Sequence, residues 1–295
     1  MKKVLFIINP RAGQMRANKK LVDIISVFSS EGYECTVHVT SKSNEAKEIC
    51  VHRAASFDLV VCIGGDGTLN EVVSGLIEID KKIPVGYIPA GSTNDFASSL
   101  EISKDVVQAA KNIVGGTARE IDVCSFNGRS FLYIASFGAF TMASYKTPQN
   151  TKNLLGHMAY VLEGIREIPS IKSIHAKIET VDKTFEGDYV FGAISNSTSV
   201  GGLLTLDSNL VDMSDGLFEV MLIKTPKTPI ELSQIITALN SSKYDNCNSI
   251  VFCSSPYAKV TCEKGLSWTL DGEYQKGETT NEFKILDHVV RFVLN

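Results

Sequence analysis

The chain has 295 residues, 44% of them hydrophobic, and a formal net charge of −4. That length allows one large domain or two ordinary ones with a sizeable core. The mildly acidic balance gives no support for nucleic-acid binding, no stretch reaches the roughly 18 apolar residues of a spanning helix, and seven scattered cysteines without a CxxC pair fit neither a disulfide framework nor a zinc site.

The opening Met1-Lys2-Lys3 followed by Val4–Ile8 predicts a first buried strand, because a signal peptide needs a longer apolar stretch. Arg16–Ser29 has helical periodicity through Leu21, Ile24, Ile25 and Phe28, and stops at Gly32. Glu34–Thr40 alternates as a strand does, and Asn44–Ala55 reads as a second helix. Leu59–Ile63 is nearly all apolar, as expected of a parallel strand covered on both faces. Helix Thr68–Ile77, strand Pro84–Ile88 and helices Thr93–Leu100 and Asp105–Val114 follow, the last ended by Gly115-Gly116. This alternation predicts a doubly wound α/β parallel sheet. From about Ile121 the pattern changes. Asn127-Gly128 between Ile121–Phe126 and Arg129–Ala135 is a hairpin signal. After a helix at Leu154–Ile168, short strands dominate, broken by a helix at Ile230–Leu239. The second half therefore reads as an antiparallel β-rich sandwich or open barrel. The boundary near residue 123 has no linker composition.

Three loops at strand ends carry the chemistry. Gly64-Gly65-Asp66-Gly67-Thr68-Leu69-Asn70-Glu71 is a glycine turn opening a helix. Its glycines permit positive φ and close backbone approach, Thr68 and Glu71 fit a capping box, and the helix start favours an anion. Asp66 would repel a bare phosphate, so it suits a site where Mg²⁺ intervenes; a tight turn with a capping aspartate is the simpler alternative. Pro89-Ala90-Gly91-Ser92-Thr93-Asn94-Asp95-Phe96 is a second such turn, in which Asp95 alone reads as helix-dipole stabilisation. Asn9-Pro10-Arg11-Ala12-Gly13 ends the first strand at the same sheet edge. There is no Walker motif, and no G-x-G-x-x-G after strand one. Leu270-Asp271-Gly272-Glu273 offers two carboxylates about a glycine, fit for a metal and a proton, or simply a hairpin with acidic tips. Asp212-Met213-Ser214-Asp215-Gly216-Leu217 offers oxygen ligands, or an Asp-Gly turn. The five dispersed histidines show no metal spacing.

In order along the chain, the Asn9–Gly13, Gly64–Glu71 and Pro89–Ala97 runs, Ile121-Asp122-Val123 and Leu270–Glu273 together resemble the bacterial soluble diacylglycerol kinases, relatives of sphingosine and ceramide kinases. The resemblance covers essentially the whole chain. It implies a nucleotide-binding catalytic domain at 1–123, a β-rich lipid-substrate domain at 124–295, and ATP held in the crevice between them. ATP would meet Asn9, Pro10, Arg11, Ala12, Gly13, Thr40, Gly65, Asp66, Gly67, Thr68, Leu69, Asn70, Glu71 and Ser92. Asp66, Asp95 and Asp122 would form a carboxylate and water network around a catalytic Mg²⁺, joined by Asp271. Glu273 matches the family's general base. A structural Mg²⁺ would map to Asp212, Asp215 and the Leu217 carbonyl, although Leu204–Asn209 lacks the Pro-x-Ala expected before that turn.

The function so implied is transfer of the ATP γ-phosphoryl group to a lipid hydroxyl, with diacylglycerol giving phosphatidic acid as the leading substrate. Phosphatidylglycerol, a sphingoid base and a prenol stay open, since apolar pockets have no short motif. The resemblance also implies a cytoplasmic protein, peripheral at the inner membrane face, and admits a homodimer. Arg11, Arg16, Lys19, Lys20, Lys146 and Lys152 could face anionic lipid, with solvated surface as the simpler reading. An NAD kinase shares the glycine turn, but Asn94-Asp95-Phe96 speaks against it. A non-catalytic ATP-sensing regulator is the reading from another class.

Overall fold

The computed structural model of the chain describes residues 1–13, 19–92, 94–138, 173–197, 199–200, 204–205, 211–241, 243–263 and 266–295. The helix expected at Leu154–Ile168, together with Arg16, Thr93, Lys146 and Lys152, lies outside them. The chain divides into two compact units, Met1–Val123 with Asp287–Asn295, and Cys124–Leu286. The first break falls where the sequence changes texture. The last nine residues group with the first unit rather than the second.

In the first unit, β1 (Lys2–Ile8), α1 (Leu21–Ser30), β2 (Tyr33–Val39), α2 (Glu45–Arg53), β3 (Leu59–Gly64), α3 (Asp66–Glu78), β4 (Val85–Pro89), α4 (Asp95–Ser99) and α5 (Val106–Gly115) alternate. The strands lie in the order β4-β3-β1-β2, all parallel, with Val4 opposite Leu59 and Val60 opposite Val85. Phe6, Val61 and Ile88 pack with Phe28 of α1 and Ile113 of α5 on one face. Leu5, Ile7, Val60 and Cys62, pointing the other way, are also fully buried, which is why these strands read as unbroken apolar runs. α2 and α3 pack together closely, because a Cβ on Gly75 would meet Cys50 Cβ at 2.6 Å. Asp105 caps α5 by accepting from Val107 N and Gln108 N at 3.0 and 2.8 Å.

The second unit begins inside β5 (Thr117–Phe126) and contains β6 (Arg129–Phe131), β7 (Ile134–Gly138), β8 (Ile174–Thr180), β9 (Thr184–Ser195), the short pair β10 (Ser199–Val200) and β11 (Leu204–Thr205), β12 (Phe218–Lys224), α6 (Pro229–Ser241), β13 (Ile250–Ser255), β14 (Tyr257–Cys262), β15 (Ser267–Leu270), β16 (Glu273–Lys276) and most of β17 (Thr280–Leu294). Its strand pairs are antiparallel, as expected. Phe126 pairs with Arg129 across Asn127 (φ 48°) and Gly128 (φ 85°), the left-handed pair that a two-residue hairpin needs. Trp268 anchors the core against Phe126, Phe137 and Phe283 at ring separations of 5.4, 4.9 and 5.0 Å. Where short strands were expected, one long strand runs from Thr280 to Leu294, with His288 (φ 50°) as the irregular residue inside it.

The segment 287–295 serves the first unit. Phe292 pairs with Val85 of β4 in parallel and lies against Phe96 at 5.1 Å, with no exposure. Leu294 O sits where a Cβ on Gly116 would fall.

Candidate active site

In the first unit the loops after β1, β3 and β4 leave the same, carboxyl-terminal edge of the sheet. They are tied to each other through backbone. Asn9 N donates to Ile63 O at 2.9 Å, and Ala90 N donates to Gly64 O at 2.7 Å. Asn9 also donates from Nδ2 to Thr68 Oγ1 at 3.0 Å and accepts from Arg11 N at 3.0 Å, which folds the Asn9–Gly13 loop into a turn.

The glycines work by contact rather than by handedness. Gly64, Gly65 and Gly67 all have ordinary φ, contrary to the expectation from sequence. A Cβ on Gly64 would meet Thr68 at 2.7 Å, and one on Gly65 would meet Gly91 Cα at 3.2 Å. From the other side, a Cβ on Gly91 would come within 2.6 Å of Gly65 Cα. Gly13 (φ 53°) is the left-handed one, and it packs on the Ala90 carbonyl. The two glycine turns therefore touch backbone to backbone.

The capping box does not form. α3 begins at Asp66, its N-cap is Gly65, and no side chain caps it. Glu71 reaches instead to the start of α2, accepting from Asn44 N and Ala46 N at 2.8 and 3.1 Å. The helix starts two residues before the predicted cap, so Thr68 and Glu71 are already inside it.

Asp66 is buried below this surface. It accepts from Asp95 N at 3.0 Å and lies 3.4 Å from the Tyr87 hydroxyl, which also faces Gly64 O and Asn94 Oδ1 at 3.4 Å. Burial raises the Asp66 carboxyl from its ordinary value, and N–H groups of Asp95 and Phe96 and the Tyr87 hydroxyl oppose that rise. Asn94 (φ 54°) closes its turn, accepting from Gly91 N at 2.8 Å and donating to Gly91 O at 2.9 Å. Asp95 is 3% exposed. Arg11, Gly67 and Ser92 lie at the surface, Pro10 and Ala12 are half-buried, and Leu69 is core. Asn70 accepts from Ser74, and the Thr40 hydroxyl donates to Ile8 O at 3.2 Å. A cavity of about 230 Å³ in this unit, lined by Tyr87, Ile102, Asn112, Arg119 and Val293 among others, touches none of the three turns.

Asp122 is fully buried and accepts from His288 N at 2.7 Å. Its carboxylate oxygen lies within 4.8 Å of a carboxylate oxygen of Asp287 and a ring nitrogen of His288, the one such three-residue group among the described residues. The sequence pairs Asp122 with Asp66 and Asp95; the structure groups it with two residues some 165 positions away that carry no motif. His288, read as bland, is one of them.

In the second unit, Asp271 (φ 48°) turns between β15 and β16 and binds the turn between β6 and β7. Its carboxylate accepts from Leu132 N at 2.7 Å, Tyr133 N at 3.0 Å and Ile134 N at 3.2 Å. Glu273 is exposed, and Arg129 donates to it from Nη2 at 3.0 Å and to Gln275 from Nη1 at 2.7 Å. At the turn before β12, Asp212 Oδ1 accepts from Ser214 N and Oγ, and Asp215 Oδ1 accepts from Leu217 N at 2.9 Å. Each aspartate uses one oxygen in the turn's own hydrogen bonds.

Sequence reasoning passed over Glu219. It follows that turn on β12, is 2% exposed, and its Oε2 has no hydrogen-bond partner. Burial, then repulsion from Asp215 and Asp212, pushes its carboxyl up to about 8. A single glutamate within the otherwise apolar run 218–223 was the available signal.

A model of the diacylglycerol kinase catalytic domain matches residues 3–126. The diacylglycerol kinase of Bacillus subtilis (strain 168) is 35% identical over 297 aligned positions, 98% of this chain and 96% of its own length. That of Staphylococcus aureus (strain MRSA252) is 28% identical over 100% of this chain and 93% of its own. In fold, the chain is similar to a solved diacylglycerol kinase from Bacillus anthracis str. Sterne with a TM-score of 0.77, and to a second structure from that organism with 0.83, both at 22% identity and covering all of this chain and 97% of theirs. With that identity sustained along nearly its full length, the chain belongs to the diacylglycerol kinase family.

Proposed function

We propose that this protein transfers the γ-phosphoryl group of ATP to the hydroxyl of a lipid alcohol, with diacylglycerol as the substrate and phosphatidic acid as the product. The observation that carries this reading is Asp66: a carboxylate kept 7% exposed at an uncapped helix start, between two glycine turns in backbone contact. Structural turns rarely bury an acid at such a position, because desolvation penalises its charge. A phosphate-and-cation site gives that acid a purpose.

In this reading the N–H groups of the glycine turns and of the first turn of α3 take the phosphates, with Arg11 at the surface beside them. Asp66 and Asp95 are oxygen donors of the kind Mg²⁺ selects, and the orphaned Glu219 oxygen beside Asp212 and Asp215 marks a second place for such an ion. Mg²⁺ held by these carboxylates would supply positive charge against the transferring phosphate. Glu273 takes the hydroxyl proton as the alcohol oxygen bonds to phosphorus and the bond to the ADP oxygen breaks. Arg129 orients it through Oε2. Because phosphoryl transfer passes through a loose transition state, a base of modest strength suffices. Asp271, bound by three backbone N–H groups, is assigned to holding the β6–β7 turn.

Among the described residues no helix is long and apolar enough to cross a membrane, so the substrate would be met at a bilayer surface. The family membership favours this reading over NAD phosphorylation and over nucleotide sensing without turnover. The test is phosphate transfer from labelled ATP, with Mg²⁺, to a panel of diacylglycerol, phosphatidylglycerol, sphingosine, a prenol and NAD in mixed micelles. Labelled phosphatidic acid is expected; labelled NADP, or no product on any lipid, would refute it.

A further inference from the structure

The cavity of about 230 Å³ in the first unit has no part in the reaction as drawn above. Its walls come from β4 through Tyr87, the segment after α4 through Glu101 and Ile102, α5 through Asn112 and Ile113, and β5 through Arg119, with the end of β17 beside them. Size limits what it can hold. A cavity of about 150 Å³ takes benzene, so one half as large again takes a molecule of about nine non-hydrogen atoms. That excludes a nucleotide and a lipid with two acyl chains, the two substrates of the proposed reaction.

The lining carries one charge of each sign. Arg119 and Glu101 are exposed, do not pair with each other, and form no other ion pair among the described residues. Glu101 is held at φ 54°, a left-handed conformation that a Cβ disfavours. Its turn is fixed to α4, since Glu101 N donates to Ser98 O at 3.3 Å and Ile102 N to Ala97 O at 2.8 Å. Asn112 accepts from Gln108 Nε2 at 2.8 Å through its oxygen, which leaves its amide N–H groups as further donors. A matching ligand has an acid group for the Arg119 fork, an ammonium group for the Glu101 carboxylate, and a short apolar body for Ile102, Ile113 and the Tyr87 ring. An α-amino acid with a branched side chain has this chemistry and this size.

We propose that the cavity binds a small zwitterion with an apolar side chain, of the class of leucine, and that its occupancy is felt at Asp66. Two walls reach that residue. The Tyr87 hydroxyl lies 3.4 Å from Asp66 Oδ1. The Glu101–Ile102 wall is tied to α4, whose first N–H, that of Asp95, donates to Asp66 Oδ2 at 3.0 Å. A ligand that steadies both walls steadies two of the groups around Asp66. The coupling, unlike the binding, rests on reading Asp66 as part of the nucleotide site.

The experiment is a calorimetric titration of the whole protein with L-leucine, without nucleotide or Mg²⁺. A Kd of about 1 mM or below is expected, within reach of a ligand of about nine atoms. Isovalerate lacks the ammonium group and isoamylamine lacks the acid; each should bind about 10-fold more weakly or worse, the usual effect of losing a charged hydrogen-bond partner. Arg119→Gln and Glu101→Gln change exposed side chains, so both should fold, and each should weaken leucine about 10-fold or more. Saturating leucine should shift the Kd for MgATP by about 5-fold or more. No binding of leucine, or binding by both variants equal to the wild type, overturns the site. Isovalerate or isoamylamine binding as tightly as leucine overturns the zwitterion. Leucine binding with an unchanged Kd for MgATP overturns the coupling. A protein that binds leucine but not MgATP refutes the nucleotide reading and, with it, the coupling.

Discussion

Replacing Asp271 separates a scaffold from a ligand. The carboxylate accepts from three consecutive backbone N–H groups, those of Leu132, Tyr133 and Ile134, at 2.7–3.2 Å. These residues are 1%, 4% and 6% exposed, so the donors have little access to water. A buried donor without a partner costs about 1–3 kcal/mol, and hydrogen bonds to a charged acceptor contribute about 1.5–3. Three of them sharing one partly buried carboxylate, with some rescue by water, give a loss of about 3–5 kcal/mol for Asp271→Ala. For a domain of this size that is a fall in Tm on the order of 10 °C. Asp271→Asn tolerates the left-handed backbone (φ 48°) equally well. It keeps one acceptor oxygen and turns an amide donor toward the remaining N–H, so it should lose about half as much. Urea unfolding followed by circular dichroism, with calorimetry for Tm, measures both. If Asp271→Ala unfolds within 1 kcal/mol of the parent, the carboxylate is not a structural tie and belongs with the metal ligands after all.

Asp66→Asn should behave in the opposite way. The asparagine carbonyl still accepts from Asp95 N, so Tm should hold, while lipid phosphorylation falls by about 10²–10³ or more, as when a key electrostatic contact to a transition state is lost. Gly91→Ala would put a methyl group 2.6 Å from Gly65 Cα, and backbone cannot swing aside as a side chain does; a loss of about 1–3 kcal/mol is expected, with weaker ATP binding by equilibrium dialysis. Glu45 offers a pH test. The Ser41 N–H first, then His38 and the Ser41 hydroxyl, hold its carboxyl at about 2, below the usual 4.5. A lowered folded value means its stabilisation is complete above about pH 4.5 and is lost as pH falls toward 2. Glu45→Gln should therefore lower the urea midpoint most above about pH 4.5 and least near pH 2, which flattens the fall across that window.

The parts of this molecule written locally were legible. Leu59–Ile63 was read as a doubly covered strand because every side chain in it is apolar, and Asn127-Gly128 marked a hairpin because few other pairs accept two left-handed residues. The glycine turns were found, and their glycines were read as permitting positive φ and close backbone approach; their φ is ordinary, and what Gly65 approaches is a second turn 26 residues away. Glu71 was matched to its own helix, since the partner it has, the start of α2, is set by tertiary packing. Asp271 carried the motif of a catalytic acid, and only the β6–β7 turn shows what its oxygens meet. Asp287 and Glu219 have no motif; their surroundings come from strands that are distant in sequence.

That residues 287–295 belong with Met1–Val123 constrains the order of events during synthesis. A ribosome delivers the first 123 residues long before it delivers Phe292, whose ring lies on Phe96. Until then the nascent amino-terminal half has an open hydrophobic seam beside β4, and it must wait, exposed to chaperones and proteases, for a closing segment made more than 160 residues later.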